Sequence, residues 1–134
     1  MNWNQYFMNL AKNISLRSKD KKKVGAVLVS EHNNRILSTG YNGLPANVND
    51  NIDWTNRELV HLLIIHAEMN CILYSNHHFE SAILYSTLSP CINCIKIISA
   101  VNIKKIYFNE YYKDYEKTLE ICRIFNIELI KLEP

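Results

Sequence analysis

The pairing of His66-Ala67-Glu68 with Ser89-Pro90-Cys91-Ile92-Asn93-Cys94 restricts this chain more than any other feature. One imidazole and two thiols suit a catalytic zinc site. A structural site usually closes its tetrahedron with a fourth protein ligand, whereas a catalytic site leaves that position to water. Glu68 stands two residues from His66, and a carboxylate beside a metal-activated water can take its proton and later return it. Pro90 suits the first turn of a helix, which sets Cys91 and Cys94 one turn apart on one face, near the N-terminal end where thiolates are favoured. On a regular helix, positions two apart point to opposite sides, so His66 and Glu68 share a site only at a helix start. Taken alone, Cys-x-x-Cys is compatible with a redox pair and His-x-Glu carries little weight. A redox dithiol, however, requires neither the His nor the Glu. The remaining alternative is a noncatalytic zinc module with Glu68 or another side chain as fourth ligand.

Length and composition narrow the class. At 134 residues with 48% hydrophobic and 21% charged content, the chain is expected to be one globular domain over residues 1 to 134 and not disordered. A net charge of +2 gives no ground for a nucleic-acid-binding face. The four cysteines do not form the pattern of a secreted disulfide framework; Cys71 and Cys122 lie in apolar patterns typical of small buried thiols, and a reducing, cytoplasmic setting is expected. The N-terminal residues lack a basic region followed by an apolar core. The longest apolar stretch, Leu59 to Ile65, is short and interrupted by His61, so neither export nor a membrane span is expected.

Along the chain, Trp3, Tyr6, Phe7, Leu10, Ala11 and Ile14 recur at helical spacing and predict an amphipathic helix over about residues 3 to 18. The charged run from Arg17 to Lys23 reads as its solvated end and turn. Val24 to Val29 and Arg35 to Thr39 read as a hairpin about the turn Glu31-His32-Asn33-Asn34. All three glycines, Gly25, Gly40 and Gly43, fall between the first strand and the loop after the second. Two explanations fit them equally: close approach of backbone to a ligand, or a tight exit from a strand. Residues 46 to 58 read as an Asn-rich loop. A helix follows Glu68, with His77 and His78 as surface residues near its end. Ala82 to Ser86 predicts a strand delivering the cysteine loop, Ile95 to Val101 a helix, Ile106 to Phe108 a strand, Tyr115 to Ile124 a helix, and Ile127 to Leu132 a closing strand. Strands separated by helices imply a layered α/β sheet, with the metal donors at two helix starts beyond strand ends.

H-x-E with P-C-x-x-C is an established mark of the zinc nucleobase deaminases, and the chain resembles the cytidine and deoxycytidylate deaminase superfamily, more narrowly its deoxycytidylate branch. The resemblance runs through Trp3 with Tyr6-Phe7-Met8, Arg17-Ser18-Lys19-Asp20, Val24-Gly25-Ala26-Val27, Ser38 to Pro45, His66 to Asn70 and Leu84 to Cys91. It implies a three-layer α/β/α sandwich around a mixed sheet of about five strands, the last two parallel with a helix between them. It also implies one zinc ion and hydrolytic deamination of a cytosine nucleotide, deoxycytidylate first, to the uracil nucleotide and ammonia. His66, Cys91 and Cys94 would hold the metal and Glu68 would shuttle the proton. Backbone at Ala67, Ser89 and Cys91 would hold the cytosine edge, and Asn42 would meet base or sugar. Tyr112, or its neighbour Tyr111, would lie near base and phosphate, and Ser18 and Lys19 would meet the 5′ phosphate.

Two departures stand out. Many relatives continue the Asn-Gly-x-Pro turn with Gly, Cys and an acidic pair, where this chain has Ala46-Asn47-Val48-Asn49-Asp50. Several add Cys and His for a second zinc, whereas between residues 51 and 65 this chain offers His61 alone. The resemblance further implies a homo-oligomer, hexamer or dimer. A competing reading is an editing deaminase on single-stranded DNA or RNA, which needs a positive groove and stacking aromatics; the Arg17 to Lys23 run with Tyr111, Tyr112 and Tyr115 are its candidates.

Overall fold

A computed structural model describes residues 1–76 and 79–133; His77 and His78, expected at the surface, lie outside the described residues. The elements are α1 (Trp3–Ser15), β1 (Gly25–Ser30), β2 (Ile36–Tyr41), α2 (Arg57–Leu63), α3 (Ala67–Leu73), β3 (Ala82–Leu88), α4 (Ile92–Ala100), β4 (Ile103–Glu110), α5 (Tyr115–Ile124) and β5 (Glu128–Lys131). They form a five-stranded sheet in the order β2-β1-β3-β4-β5. β1 pairs antiparallel with both β2 and β3, while β3 with β4 and β4 with β5 are parallel. Hence β2, β3, β4 and β5 all run one way and β1 runs against them. The ends of β2, β3 and β4 and the start of β1 therefore meet at one edge of the sheet.

Period-two alternation sends successive side chains of each strand to opposite faces. On one face Val27, Val29 and Tyr85 pack against Phe7, Met8 and Ala11 of α1. On the other, Ala26, Leu28, Leu84 and Ile106 pack against Ala67, Cys71 and Ile72 of α3, Ile95 and Ile98 of α4, and Cys122 of α5. The expected three layers and mixed sheet are thus present, with α1 alone on its side.

Four of the departures from the expected boundaries bear on the site. α1 stops at Ser15, and the charged run after it is not merely solvated, because Ser18 and Asp20 are only 2% and 6% exposed. β2 runs on to Tyr41, so Gly40 belongs to a strand rather than a loop. Pro90 precedes the helix: Cys91 is the N-cap of α4, whose first residue is Ile92. The stretch read as loop ends in a helix that went unrecognised, α2, capped by Asn56, whose side chain accepts from the Leu59 amide at 3.2 Å.

The glycines answer to packing. A Cβ on Gly25 would lie 2.0 Å from the Ala11 carbonyl oxygen, and one on Gly40 would lie 2.5 Å from both the Ala67 carbonyl oxygen and the Cys71 amide nitrogen. No glycine has a positive φ. They let α1 and α3 sit directly on the hairpin. Gly40→Ala, which drives a methyl into the backbone of α3, is expected to destabilise the fold by about 1–3 kcal/mol. Gly43→Ala, whose nearest neighbour would be Tyr41 Cε2 at 3.6 Å, is expected to stay within about 0.5 kcal/mol of wild type in the same denaturant titration.

Candidate active site

Two helices begin at the shared sheet edge, and each carries at its N-cap a residue able to hold a metal. His66 caps α3 and Cys91 caps α4, both in extended backbone conformation and neither making a side-chain cap hydrogen bond. Elsewhere in the chain, Asn2 and Asn56 use this position to satisfy amides of α1 and α2. At α3 and α4 the cap side chain is turned to the site instead. Placing His66 outside the helix and Glu68 in its first turn settles how residues two apart reach one centre.

His66 Nδ1 lies 3.3 Å from Cys94 Sγ and 3.5 Å from Cys91 Sγ, and the two sulfurs are 3.5 Å apart. Zn–S bonds of about 2.3 Å and Zn–N bonds of about 2.0–2.1 Å meeting at tetrahedral angles place neighbouring donor atoms roughly 3.5–3.8 Å apart. The triangle therefore fits the donor spacing of a zinc site, and two of its members, His66 and Cys91, line the cleft. These three are the metal-capable cluster among the described residues. Cys91 and Cys94 are free thiols despite their proximity.

The electrostatics point the same way. Hydrogen bonding with Cys94 brings the Cys91 thiol down to about 4, while that same bond to Cys91, together with burial, pushes Cys94 upward. Without a cation, two sulfurs this close do not both ionise; a divalent ion removes that conflict. His66 is raised, chiefly by its hydrogen bond to Cys91. Glu68 is 4% exposed, and burial pushes its carboxyl up against the opposing influence of His66. A carboxyl with raised proton affinity beside the metal donors is suited to exchange protons with a substrate.

A cleft of about 550 Å³, its open mouth included, extends from these groups. Its walls include Ala67, Leu88, Ser89, Asn42 and Tyr112. Tyr112 thus faces the cleft, its amide donating to Ser89 Oγ at 2.7 Å, whereas Tyr111 turns away and packs edge-on against Phe108 and Tyr115. The Ser89 amide donates to the Glu110 carbonyl oxygen at 2.8 Å, so its amide and its hydroxyl oxygen are both engaged within the wall. Asn42 lines the cleft with its side chain already engaged: Oδ1 accepts from the Val24 amide at 2.9 Å, and Nδ2 donates to the Lys22 carbonyl oxygen at 2.8 Å and to Asp20 Oδ2 at 3.3 Å.

Ser18 and Lys19 are not among the lining residues. The Ser18 hydroxyl donates to the Asn42 carbonyl oxygen at 2.8 Å, and the Lys19 ammonium pairs with Asp50 at 2.6 Å. The cations that do line the cleft are Lys22 and Arg57, with His61 one turn beyond Arg57 on α2. Arg57 was missed because residues 46 to 58 read as loop, and His61 was noted only as a break in the apolar stretch and as a lone residue short of a second zinc site. Its helical signal was the Asn56 cap followed by Glu58 in the first turn and Val60 as an inward apolar residue.

The family model described as "Cytidine and deoxycytidylate deaminase zinc-binding region" matches residues 1–110. An "uncharacterized deaminase in luxG 3′ region" of Aliivibrio fischeri is 38% identical over 114 residues, covering 84% of this chain and 76% of that protein. A "probable deoxycytidylate deaminase" of Caenorhabditis elegans is 39% identical over 112 residues, 79% of this chain and 56% of that protein, so the chain spans little more than half of that relative. The crystal structure of the deoxycytidylate deaminase of cyanophage S-TIM5 in complex with dCMP and dUMP superposes with a TM-score of 0.79 at 25% identity, covering 96% of this chain and 95% of the other. The chain belongs to the cytidine and deoxycytidylate deaminase family, whose members are zinc-dependent hydrolases.

The donor geometry predicts one zinc per chain in the purified protein. Cys94→Ala is expected to lose it, as read by elemental analysis. Stripping the metal is expected to expose the Cys91 and Cys94 thiols to a disulfide reagent. Cys71 and Cys122, which burial pushes up to about 12 and about 11, should react only on unfolding.

Proposed function

We propose that residues 1–134 form one catalytic domain that deaminates deoxycytidylate to deoxyuridylate and ammonia. The observation that carries this reading is the cleft itself: a buried carboxyl, Glu68, and the metal triangle at one end, cations on the wall beyond. The cyanophage relative, crystallised with dCMP and dUMP, supports the choice of substrate.

In this assignment His66, Cys91 and Cys94 hold zinc, which when bound supplies the Lewis acidity that makes water a competent nucleophile at neutral pH. Glu68 takes a proton as the water oxygen bonds to C4 of the cytosine and delivers it to ring N3. It then carries a second proton to the amino group as the C4–N bond breaks and ammonia leaves. Backbone at Ala67, Ser89 and Cys91 holds the base edge. Tyr112 closes the cleft beside it. Asn42 shapes the wall through its bonds to Asp20 and Val24 and offers its remaining lone pair to the sugar or base.

Action on a base within a strand is not favoured. Of the cations proposed for a strand groove, Lys19, Lys22 and Lys23 are spent on Asp50, Glu110 and the Ser18 carbonyl oxygen, and Tyr111 and Tyr115 pack on each other. Among the described residues no helix is long and apolar enough to cross a membrane. Four free thiols, two of them adjacent yet unbridged, support a reducing, cytoplasmic setting. Exposed Trp3, Leu16, Ile36 and Tyr41 support a homo-oligomer, hexamer or dimer, which light scattering of the purified chain would decide.

Glu68→Ala is expected to retain zinc while losing about 10²–10⁴-fold in kcat, the range for a positioned acid/base; loss of zinc together with activity would make Glu68 a ligand. The substrate assignment is checked by kcat/KM for deoxycytidylate, cytidylate, deoxycytidine, deoxycytidine triphosphate and a short single strand at one salt concentration. Deoxycytidylate is expected to lead, and a strand that outruns it would overturn the assignment.

A further inference from the structure

We propose that Arg57, locked on the cleft wall by the buried carboxylate of Asp20, recognises the substrate's phosphate and sets the preference for nucleotide over nucleoside. This deepens the reading above and rests on the substrate being a cytosine monophosphate.

Asp20 is 6% exposed, a position where a carboxylate requires a paired cation and further donors. It has both: Arg57 Nη1 donates to its Oδ1 at 2.7 Å, the Lys21 amide to the same oxygen at 2.6 Å, and Asn42 Nδ2 to its Oδ2 at 3.3 Å. Arg57 Nη1 also meets the Trp54 carbonyl oxygen at 3.3 Å. One corner of the guanidinium is thereby fixed from two sides. Among the described residues, Nη2 and Nε have no protein partner, and the side chain remains 36% exposed on the cleft wall. A planar fork held at one corner, with its other donors free, is pre-organised for a phosphate, which accepts two parallel N–H groups at once.

The competing cations fit less well. Lys19 does not line the cleft. Lys22 does, but its ammonium is a point charge on a flexible stem, more than half exposed and bonded to Glu110 at 2.7 Å. On this wall Lys22 is paired with Glu110 and Arg57 with Asp20, and of the two cations Arg57 keeps donor groups beyond those its carboxylate uses. The carboxylate that orients Arg57 is also the one that holds the Asn42 amide. It therefore ties the phosphate contact rigidly to the wall along which the nucleoside would lie, and Asp20 is a positioning residue in this scheme.

The test compares wild type with Arg57→Gln, Arg57→Lys and Asp20→Asn, all zinc-loaded full chains. Gln keeps a donor for Asp20 while removing the charge, which guards against loss of the fold. In Arg57→Gln, the ratio of kcat/KM for deoxycytidylate to that for deoxycytidine should fall about 10- to 150-fold, the equivalent of a charge-assisted hydrogen bond, with the loss in KM. Calorimetric affinity for deoxyuridylate relative to deoxyuridine should fall in parallel. Arg57→Lys should recover part of the ratio and Asp20→Asn should lower it. A wild-type preference for deoxycytidylate that survives in Arg57→Gln, or equal losses for nucleotide and nucleoside, overturns the inference alone. A wild type that treats the two substrates alike overturns the monophosphate reading and the inference together.

Discussion

His66, Cys91 and Cys94 place three donor atoms within 4.8 Å of one another, and the fold can be understood as what it takes to hold them there. They stand on two separate helix starts, and each helix start is set by a strand. Cys91 follows β3 directly. His66 follows an antiparallel bridge between Ile65 and Gly43, whose amides donate to each other's carbonyl oxygens at 2.8 and 3.1 Å. That bridge ties the α3 start to the exit of β2. Because β2 and β3 flank β1 and run the same way, both exits lie at one edge of the sheet. The contact of α3 with β2 at Gly40 then fixes depth, since any Cβ there would collide with the α3 backbone.

The rest of the site is assembled from the same edge. Asn42 follows β2, Ser89 follows β3, Tyr112 follows β4, and Asp20 and Lys22 precede β1. Direct bonds stitch these segments together: Ser18 to the Asn42 carbonyl, Asn42 to Val24 and Lys22, Gly25 to the Thr87 hydroxyl, and Tyr112 to Ser89. Loops so constrained behave as part of the scaffold, which is what a cleft needs if it is to orient a small polar substrate without closing around it. Asn42 is the densest node in this mesh and also holds Asp20, whose burial makes Arg57 a structural necessity before it is a binding group.

Much of this was legible beforehand. Apolar periodicity announced α1, α3, α4 and α5, a short apolar run followed by a turn announced the hairpin, and alternation announced the closing strand. The ligand triad and Glu68 were visible because metal chemistry demands particular residue types at close spacing. The wall of the cleft was not. Ser18 and Lys19 stand beside Asp20 in sequence, yet the turn after α1 buries Ser18 against Asn42 and sends Lys19 out to Asp50. Arg57 lay hidden at the head of a helix of seven residues, too short to show a period. The glycines were ambiguous because a missing side chain looks the same whether a ligand or a helix occupies the space.

Sequence by itself singled out the donors able to hold a metal, the candidate proton carrier and the class of layered sheet, since these follow from residue type and short-range spacing. Tertiary structure alone decided which charges face the cleft. Asp20 and Arg57 are 37 residues apart, and no local pattern links them. Their partnership arises because sheet pairing brings the entry to β1 and the head of α2 to the same edge. There burial gives the carboxylate no alternative to the guanidinium.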